Sequence, residues 1–414
     1  MTFLFTLADH KLFGFIRRFA LSLVAVLAFF HMAGAQAAEP IRIGVLVPLS
    51  GGGGAYGAGM AAAAAQAAEF INQDAGGVLN GRKIEIIVAD DESNPTAGVA
   101  AARKLIDVSR VSAIVGLWSS AVAMAVKPLT IEKGIPLLVT GSGDEITQGD
   151  NQGLVWRFQA TGRDWGKAFA RAAVKDGAHT ASLLVLHTPF TLSMVDPFIQ
   201  EFTAAGGRVL DTVYYNPGQP SYRAEVEKAF AQKPDAVFVP SYLPDLSAIA
   251  REIYRSGFNS TLYANSSAAD AEGAFVKNVG KAVAEGIHHI QSIPPQDSAA
   301  YHIFAEKAGI SPNTLAIFPS NVWDEISVLA LAIEKSGSAE PRVFARSIPD
   351  VVNGPGVKVE SPVAGLNALR AGKNIAYSGA GSQFTFTPSG DQLNRLYGHF
   401  IIRDGVNQQV DVLK

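Results

Sequence analysis

Short apolar runs of strand length recur along the chain, separated by longer stretches whose composition suits helices. Ile41–Leu49 (IRIGVLVPL) is apolar almost without interruption, the pattern of a strand covered on both faces rather than on one. Ser50 and four glycines follow, then Ala55-Tyr56-Gly57 and an alanine-rich helix ending near Asp74-Ala75-Gly76-Gly77. Lys83–Ala89 reads as a second strand closed by Asp90-Asp91, and Pro95 fits the first turn of a helix from Thr96 to about Asp107.

The most informative stretch is Ala113–Glu145. Ala113–Val115 reads as a buried strand that stops at Gly116, and Ser119 or Ser120 stands at the N-cap of a helix running to Lys133 and ending at Gly134. Ile135–Thr140 is a further buried strand, breaking into the polar loop Gly141–Glu145. In a parallel sheet both loops leave strand carboxyl ends, where open α/β folds hold their ligands. Free amides at the helix start favour an anionic group to which the serine hydroxyls can donate; the alternative is that Ser120 only caps the helix.

After Leu154–Gln159 and Thr161-Gly162-Arg163-Asp164-Trp165 a second series begins. Strands are expected at Ala181–Leu186, Arg208–Tyr214, Ala236–Pro240 and Thr261–Ala264, with helices at Ser193–Ala205, Tyr222–Gln232 and Pro244–Ser256. Ile287–Ile293 reads as a crossover strand and Val322–Ser336 as an amphipathic or fully buried helix. Gln383–Pro388 and Leu396–Arg403 read as a closing hairpin around Ser389-Gly390-Asp391. The repetition of strand and helix predicts two doubly wound α/β lobes.

Composition narrows the compartment. At 414 residues, 48% of them apolar, the chain can build two or three domains. Lys11, Arg17 and Arg18 precede the apolar run Phe19–Phe30, and Ala35-Gln36-Ala37 offers a cleavage site before Ala38, so residues 1–37 read as a signal peptide rather than a membrane span. Removing that segment, with its three cations and Asp9, takes the formal charge from −3 to −5, which argues against nucleic acid as a partner. There is no cysteine, hence no disulfide, no zinc-thiolate site and no lipid-bearing residue after the signal. The expected mature protein is free in the periplasm, with no stable membrane insertion.

Candidate chemistry points away from catalysis. Neither H-E-x-x-H nor G-x-S-x-G occurs. Gly52–Gly57 satisfies G-x-G-x-x-G, but the acidic pair Asp90-Asp91 lies nearly forty residues further on instead of about twenty, and the glycines are better read as a tight turn that lets Tyr56 lean over a cleft. Asp90-Asp91 suits the capping of a turn. His288-His289 reads as one inward and one outward residue of a strand rather than a metal site. No cofactor, metal or enzymatic activity is implied.

Several blocks carry a family likeness: IRIGVLVPLSGGGGAYG, INQDAGGVLNGRKIEIIVADDESNPTAGVAAARKLI, IVGLWSSAVAMAVKPLTIEKGIPLLVTGSGD, DAVFVPSYLPDLSAIAREIYRSGF and FTFTPSGDQLN. In this order they cover nearly all of the mature chain, which resembles the leucine/isoleucine/valine-binding family of periplasmic binding proteins, the type I solute receptors of ABC importers. The resemblance implies two α/β lobes joined by three crossover strands, with residues 41–160 and 293–375 in one and 161–292 and 376–414 in the other. It implies a small-molecule ligand in the inter-lobe cleft and an inner-membrane ABC permease as partner. Ser120, with Ser119 beside it, and the loop Gly141, Ser142 and Gly143 would hold the carboxylate and ammonium of an amino acid. Tyr56 and Tyr242 would close over it. A family threonine falls on Gly143, a tyrosine on Thr191 next to Phe190, an apolar wall residue on Trp118 and an aromatic one on Asn321.

The acidic residue that pairs with an ammonium group in amino-acid receptors of this family falls on Ser266. A buried ammonium without a carboxylate costs several kcal/mol, more than a hydroxyl returns. Either Asp270 or Glu272 replaces that acid, or the ligand has no α-ammonium. Trp118 offers a flat face suited to a ring, unless it serves only lobe packing. The expected ligand is a small amino acid, organic acid, amide or aromatic solute, delivered to a permease; the alternative is a periplasmic sensor feeding a signalling partner.

Overall fold

The computed structural model describes residues 39–270, 273–383, 385–393 and 395–413. Residues 1–37, expected above to be a signal peptide, and the alternative acid Glu272 lie outside them. In the amino-terminal part, strands β1 (Ile41–Val47), β2 (Ile84–Asp90), β3 (Ala113–Val115), β4 (Leu137–Val139) and β5 (Val155–Arg157) form a parallel sheet in the order β2-β1-β3-β4-β5. Helices α1 (Gly54–Asp74), α2 (Pro95–Asp107) and α3 (Ser120–Lys133) connect the strands. Asn94 caps α2 by accepting from the backbone N–H groups of Thr96 and Ala97, and Pro95 occupies the first helical turn, where no N–H is needed.

A seven-stranded sheet follows. Strands β6 (Thr180–Leu186), β7 (Arg208–Tyr215), β8 (Ala236–Val239), β9 (Thr261–Asn265) and β10 (His288–Ile293) are parallel. Helix α4 (Gly162–Lys175) leads into them, and α5 (Val195–Ala204), α6 (Arg223–Phe230) and α7 (Leu243–Ser256) link them among shorter turns. The chain then returns to the first sheet through α8 (Ala299–Ala308) and the 20-residue α9 (Ile317–Ser336). A small parallel pair, β11 (Val357–Val359) and β12 (Ile375–Tyr377), follows. Finally β13 (Leu396–Arg403) and β14 (Val406–Leu413) add antiparallel strands to the second sheet, giving the order β14-β13-β10-β9-β8-β6-β7.

Each sheet is covered on both faces. Ile43, Val45 and Val115 pack with the alanines of α1 and with α9, while Leu46 and Ile114 turn the other way onto Ala102, Leu105, Val122 and Val126 of α2 and α3. Alternation along the strand thus feeds two cores, which is why β1 reads as continuously apolar. In the second sheet Leu183, Val185 and Ile290 face Phe169, Phe198 and Phe202, and Leu184, Val237 and Val239 face Val226, Ile249 and Ile253.

Three expected elements differ. The helix expected at Val322 starts at Ile317, and its residues from Ser320 to Ile333 are all buried. The helix expected over Ser193–Ala205 runs from Val195 to Ala204, and an unexpected single turn at Pro189–Leu192 precedes it. The closing hairpin is β13 with β14, turning at Asp404-Gly405, and not Gln383–Pro388 with β13. Around Ser389-Gly390-Asp391 the chain instead makes isolated bridges, Phe386 to Gln392 and Arg157 to Asp391, because Asp391 is drawn to the buried Arg157 guanidinium at 2.9 Å.

The chain passes between the sheets three times: after β5, after β10, and between β12 and β13. Apart from the isolated bridges at Asp391 and Gln392, the described residues of these passages have no strand neighbours, and a buried arginine supplies donors to them. Arg395 donates from Nη1 to the Gly381 carbonyl at 2.7 Å, from Nη2 to Asn321 Oδ1 at 2.8 Å and to the Phe158 carbonyl, and from Nε to Gln392 Oε1 at 2.9 Å. Asp324 of α9 accepts from the backbone N–H groups of Ala380 and Gly381 at 2.9 and 2.6 Å and from the Tyr377 hydroxyl at 3.0 Å.

Replacing Arg395 by Met leaves four buried acceptors without this donor, and is expected to cost about 3–5 kcal/mol. A lowered urea midpoint at unchanged slope measures it. The fully buried Asp324 carboxyl is pushed up to about 7 by desolvation, against the donors that surround it. Its unfolded value is near 4, so the native state holds a proton that the unfolded chain has released between about pH 4 and 7, and the stability this proton brings is lost as pH rises through 7. In Asp324→Asn the side-chain amide meets the Gly381 N–H and lowers stability at every pH. The gap to wild type in calorimetric Tm should nevertheless narrow from pH 5 to pH 8.

Candidate functional site

The carboxyl ends of β3 and β4 face those of the second sheet across a narrow cavity. Its walls are Trp118, Ser120, Thr140 and Ser142 from the first sheet's loops, Gln159 from the first passage, Trp165, Phe190, Tyr242, Ser266 and Ser267 from the second sheet's side, and Phe318 from α9.

The first wall is built by the Ala113–Glu145 stretch. Ser119 is the N-cap of α3, accepting from the Val122 N–H at 3.5 Å, so Ser120 is the first helical residue and its side chain is released toward the cavity. Ser120 Oγ accepts from the Gly143 N–H at 2.9 Å, which leaves its own proton to donate. A Cβ at Gly143 would stand 3.0 Å from Ser120 Cβ, so a side chain there would press on the serine. The adjoining Ser142 carbonyl accepts from Arg157 Nη1 and from the Gly162 N–H, both at 2.6 Å, which fixes the loop against the first passage. Gly141 packs under Trp118 and Ile146.

Aromatic rings make up the rest. Trp118 lies 5.2 Å, centroid to centroid, from Tyr242, and Phe190 is nearly parallel to Tyr242 at 6.4 Å. Phe318 meets Trp118 edge-on at 6.2 Å, and Trp165 meets Phe190 edge-on at 6.3 Å. Tyr56 is stacked behind Trp118 at 5.7 Å. The glycine turn makes this possible, because a Cβ on Gly53 would stand 2.6 Å from the Trp118 ring. Burial pushes the Tyr242 phenol up to about 12, so it remains a hydrogen-bond donor at any physiological pH.

Two polar groups on the wall have no partner among the described residues. Gln159 Oε1 accepts from Ser292 Oγ at 2.8 Å and from the Ala160 N–H, but its Nε2 is buried and unpaired; so is the indole Nε1 of Trp165. Both are donors. Among the described residues, no acidic, basic or imidazole side chain lines this cavity. A smaller adjoining space shares Ser266 and Phe318 and is bounded by Tyr56, Gln291 and Asp270. The Asp270 carboxyl accepts from Asn407 Nδ2, and burial pushes it up to about 6.

Of the residues expected at the site, the fold brings Trp118, Ser120, Ser142, Phe190, Tyr242 and Ser266 together, with Tyr56, Ser119, Gly141 and Gly143 directly behind them. Thr191 is turned away: its hydroxyl donates to the Leu186 carbonyl and pairs with Thr188 at the start of its helical turn. Asn321 also falls outside the cavity, since the earlier start of α9 turns it toward Arg395 and leaves Phe318, three residues before it, on the cleft side. Sequence reasoning missed Gln159, Trp165, Thr140, Ser267 and Phe318. Gln159 carries a usable signal, a lone amide closing an apolar run at a strand's carboxyl end.

A family model described as "Periplasmic binding protein" matches residues 40–395. The Leu/Ile/Val-binding protein BraC3 of Rhizobium johnstonii is 27% identical over 325 residues, 77% of this chain and 84% of its own length. Among solved structures, the leucine binding protein LivK of Thermotoga maritima matches with a TM-score of 0.74 at 24% identity, covering 90% of this chain and 98% of that one. An ABC transporter solute binding protein of R. palustris in complex with benzoate matches with a TM-score of 0.70 at 21% identity, covering 90% and 96%. The family match takes in the first sheet, strands β6 to β10 of the second and every passage between them, and the chain belongs to the periplasmic binding protein family.

Proposed function

We propose that this chain is the periplasmic receptor of an ABC importer and that its ligand is a small aromatic carboxylic acid without an α-ammonium group. The observation that carries the reading is the polarity of the cavity wall. Gln159 Nε2 and Trp165 Nε1 are buried donors without acceptors, and Ser120 has a free proton at the start of α3. A carboxylate supplies acceptors to all three and gains from the helix N-terminus. The flat faces of Trp118, Tyr242 and Phe190 on the cavity wall suit a ring.

An ammonium group, by contrast, meets hydroxyls only, because Ser266 stands where a carboxylate would be needed and Asp270 belongs to the neighbouring space. That the same fold accommodates benzoate in the R. palustris protein is compatible with this choice. Among the described residues no helix is long and apolar enough to cross a membrane, which suits a receptor that shuttles to a permease after the signal segment is removed. Binding shifts an equilibrium between open and closed arrangements of the two sheets, and the closed form is the one that docks. No bond is made or broken.

A thermal-shift panel of benzoate, hydroxybenzoates, aliphatic acids, amides and branched-chain amino acids checks the ligand class. The aromatic acids should stabilise, by about 2.7 kcal/mol at a hundredfold their Kd. Stabilisation by leucine alone overturns the reading and assigns an ammonium to Asp270. Ser120→Ala should weaken the best acid by about 1–3 kcal/mol in titration calorimetry, the cost of an unpaired buried partner.

A further inference from the structure

The two histidines adjoining in sequence separate onto opposite faces of β10. His289 stacks on Phe400 at 5.0 Å, with its Nε2 3.1 Å from Asn407 Oδ1. His288 shares the other face with Ile290, and the antiparallel register sets Ile290 opposite His399. His288 and His399 are therefore diagonal neighbours on one face of the sheet, with His288 Nδ1 2.9 Å from His399 Nε2. Asp176, which ends α4, reaches over the same face. Its Oδ2 lies 3.1 Å from His288 Nδ1 and 3.7 Å from His399 Nε2.

Two imidazole nitrogens and a carboxylate oxygen thus converge in a triangle with edges of 2.9, 3.1 and 3.7 Å. Ligand atoms held at 2.0–2.2 Å by a tetrahedral zinc ion lie about 3.3–3.5 Å apart, so the triangle needs only a slight adjustment to become three corners of such a shell. We propose that Asp176, His288 and His399 form a zinc(II) site on the outer face of the second sheet, separate from the ligand cavity. Hydrogen bonding alone serves this arrangement poorly. A proton on one ring satisfies one edge of the triangle and leaves another pair of lone pairs facing each other, whereas a divalent cation satisfies all three.

The surroundings fit the same assignment. The Tyr263 hydroxyl donates to Asp176 Oδ2, the kind of outer contact that orients a ligating carboxylate. Lys175, the nearest lysine in sequence, is ion-paired to Asp411, which stands opposite His399 in the β13–β14 register. Asp176 keeps about a third of its side chain in solvent, giving an ion a way in and a water the fourth position. Imidazole nitrogen with one carboxylate favours zinc over magnesium or calcium, which prefer all-oxygen shells. The ion would clamp the end of α4, β10 and the returning strand β13 to one another.

The test uses the full chain after removal of metal by chelator, titrated with zinc chloride by calorimetry and with cobalt(II) by visible absorption. One equivalent should bind, raise the Tm and, as cobalt, give the intense d–d bands of a four-coordinate site. Asp176→Asn, at an exposed position that leaves the fold intact, should weaken zinc by about tenfold or more, and His288→Gln should weaken it further. His302→Ala, which alters an exposed histidine on α8, should change nothing. Uptake of less than one equivalent, or uptake that Asp176→Asn and His288→Gln leave untouched, overturns the proposal. Should His399→Gln fail to fold, the other two variants decide.

Discussion

The arrangement rests on a buried guanidinium. A chain that passes three times between two sheets must place backbone carbonyls in the interior where no neighbouring strand can pair with them, and each unpaired group costs on the order of 1–3 kcal/mol. Arg395 answers for several at once, because its planar fork offers five donors in fixed directions. It reaches the first passage at Phe158, the third at Gly381 and Gln392, and α9 at Asn321. Asp324 takes the N–H groups that Arg395 cannot serve. Desolvation lowers the guanidinium to about 10, still far above neutrality, so the network keeps its charge.

This solution shapes the cavity. Ser292 on β10 and Gln159 on the first passage are joined by one hydrogen bond, which fastens two passages together and also dictates which end of the Gln159 amide is left over. The oxygen is consumed internally and the nitrogen turns to the ligand. Arg157 does a comparable job one step away, anchoring Asp391 of the third passage with one nitrogen and the Ser142 loop with another. The groups that support the passages are therefore the ones that set the polarity of the binding wall, and a change in either is transmitted to the other through a single side chain.

Much of the fold was legible in the chain because the strands are apolar on both faces and the helix boundaries are marked by residues such as Asn94-Pro95, Ser119 and Gly134. The first wall of the cavity was legible for the same reason, since Ser119, Ser120 and Gly143 act through local geometry. What escaped was non-local. Phe318 could not be told from Asn321 without knowing where α9 begins, and the hairpin of β13 with β14 was hidden because Val406–Leu413 is a mostly exposed edge strand with little apolar pattern. Asp90 and Asp91 did what paired acids at a strand end suggest: Asp90 accepts from the N–H groups of Leu49, Ser50 and Glu92, and Asp91 from that of Ser93. His288 and His399 stand 111 residues apart, so no spacing could announce them.

The contact between the Gly53 backbone and the indole of Trp118 has an evolutionary corollary. With the indole lying where a methyl group would otherwise go, position 53 has no freedom to vary while position 118 holds tryptophan. A descendant that exchanges the indole for a smaller side chain, and with it the shape its cargo must have, releases that position. The two sites should therefore drift together among receptors of differing appetite, so that a bare turn ahead of α1 becomes an outward sign of how large a plate lines the groove.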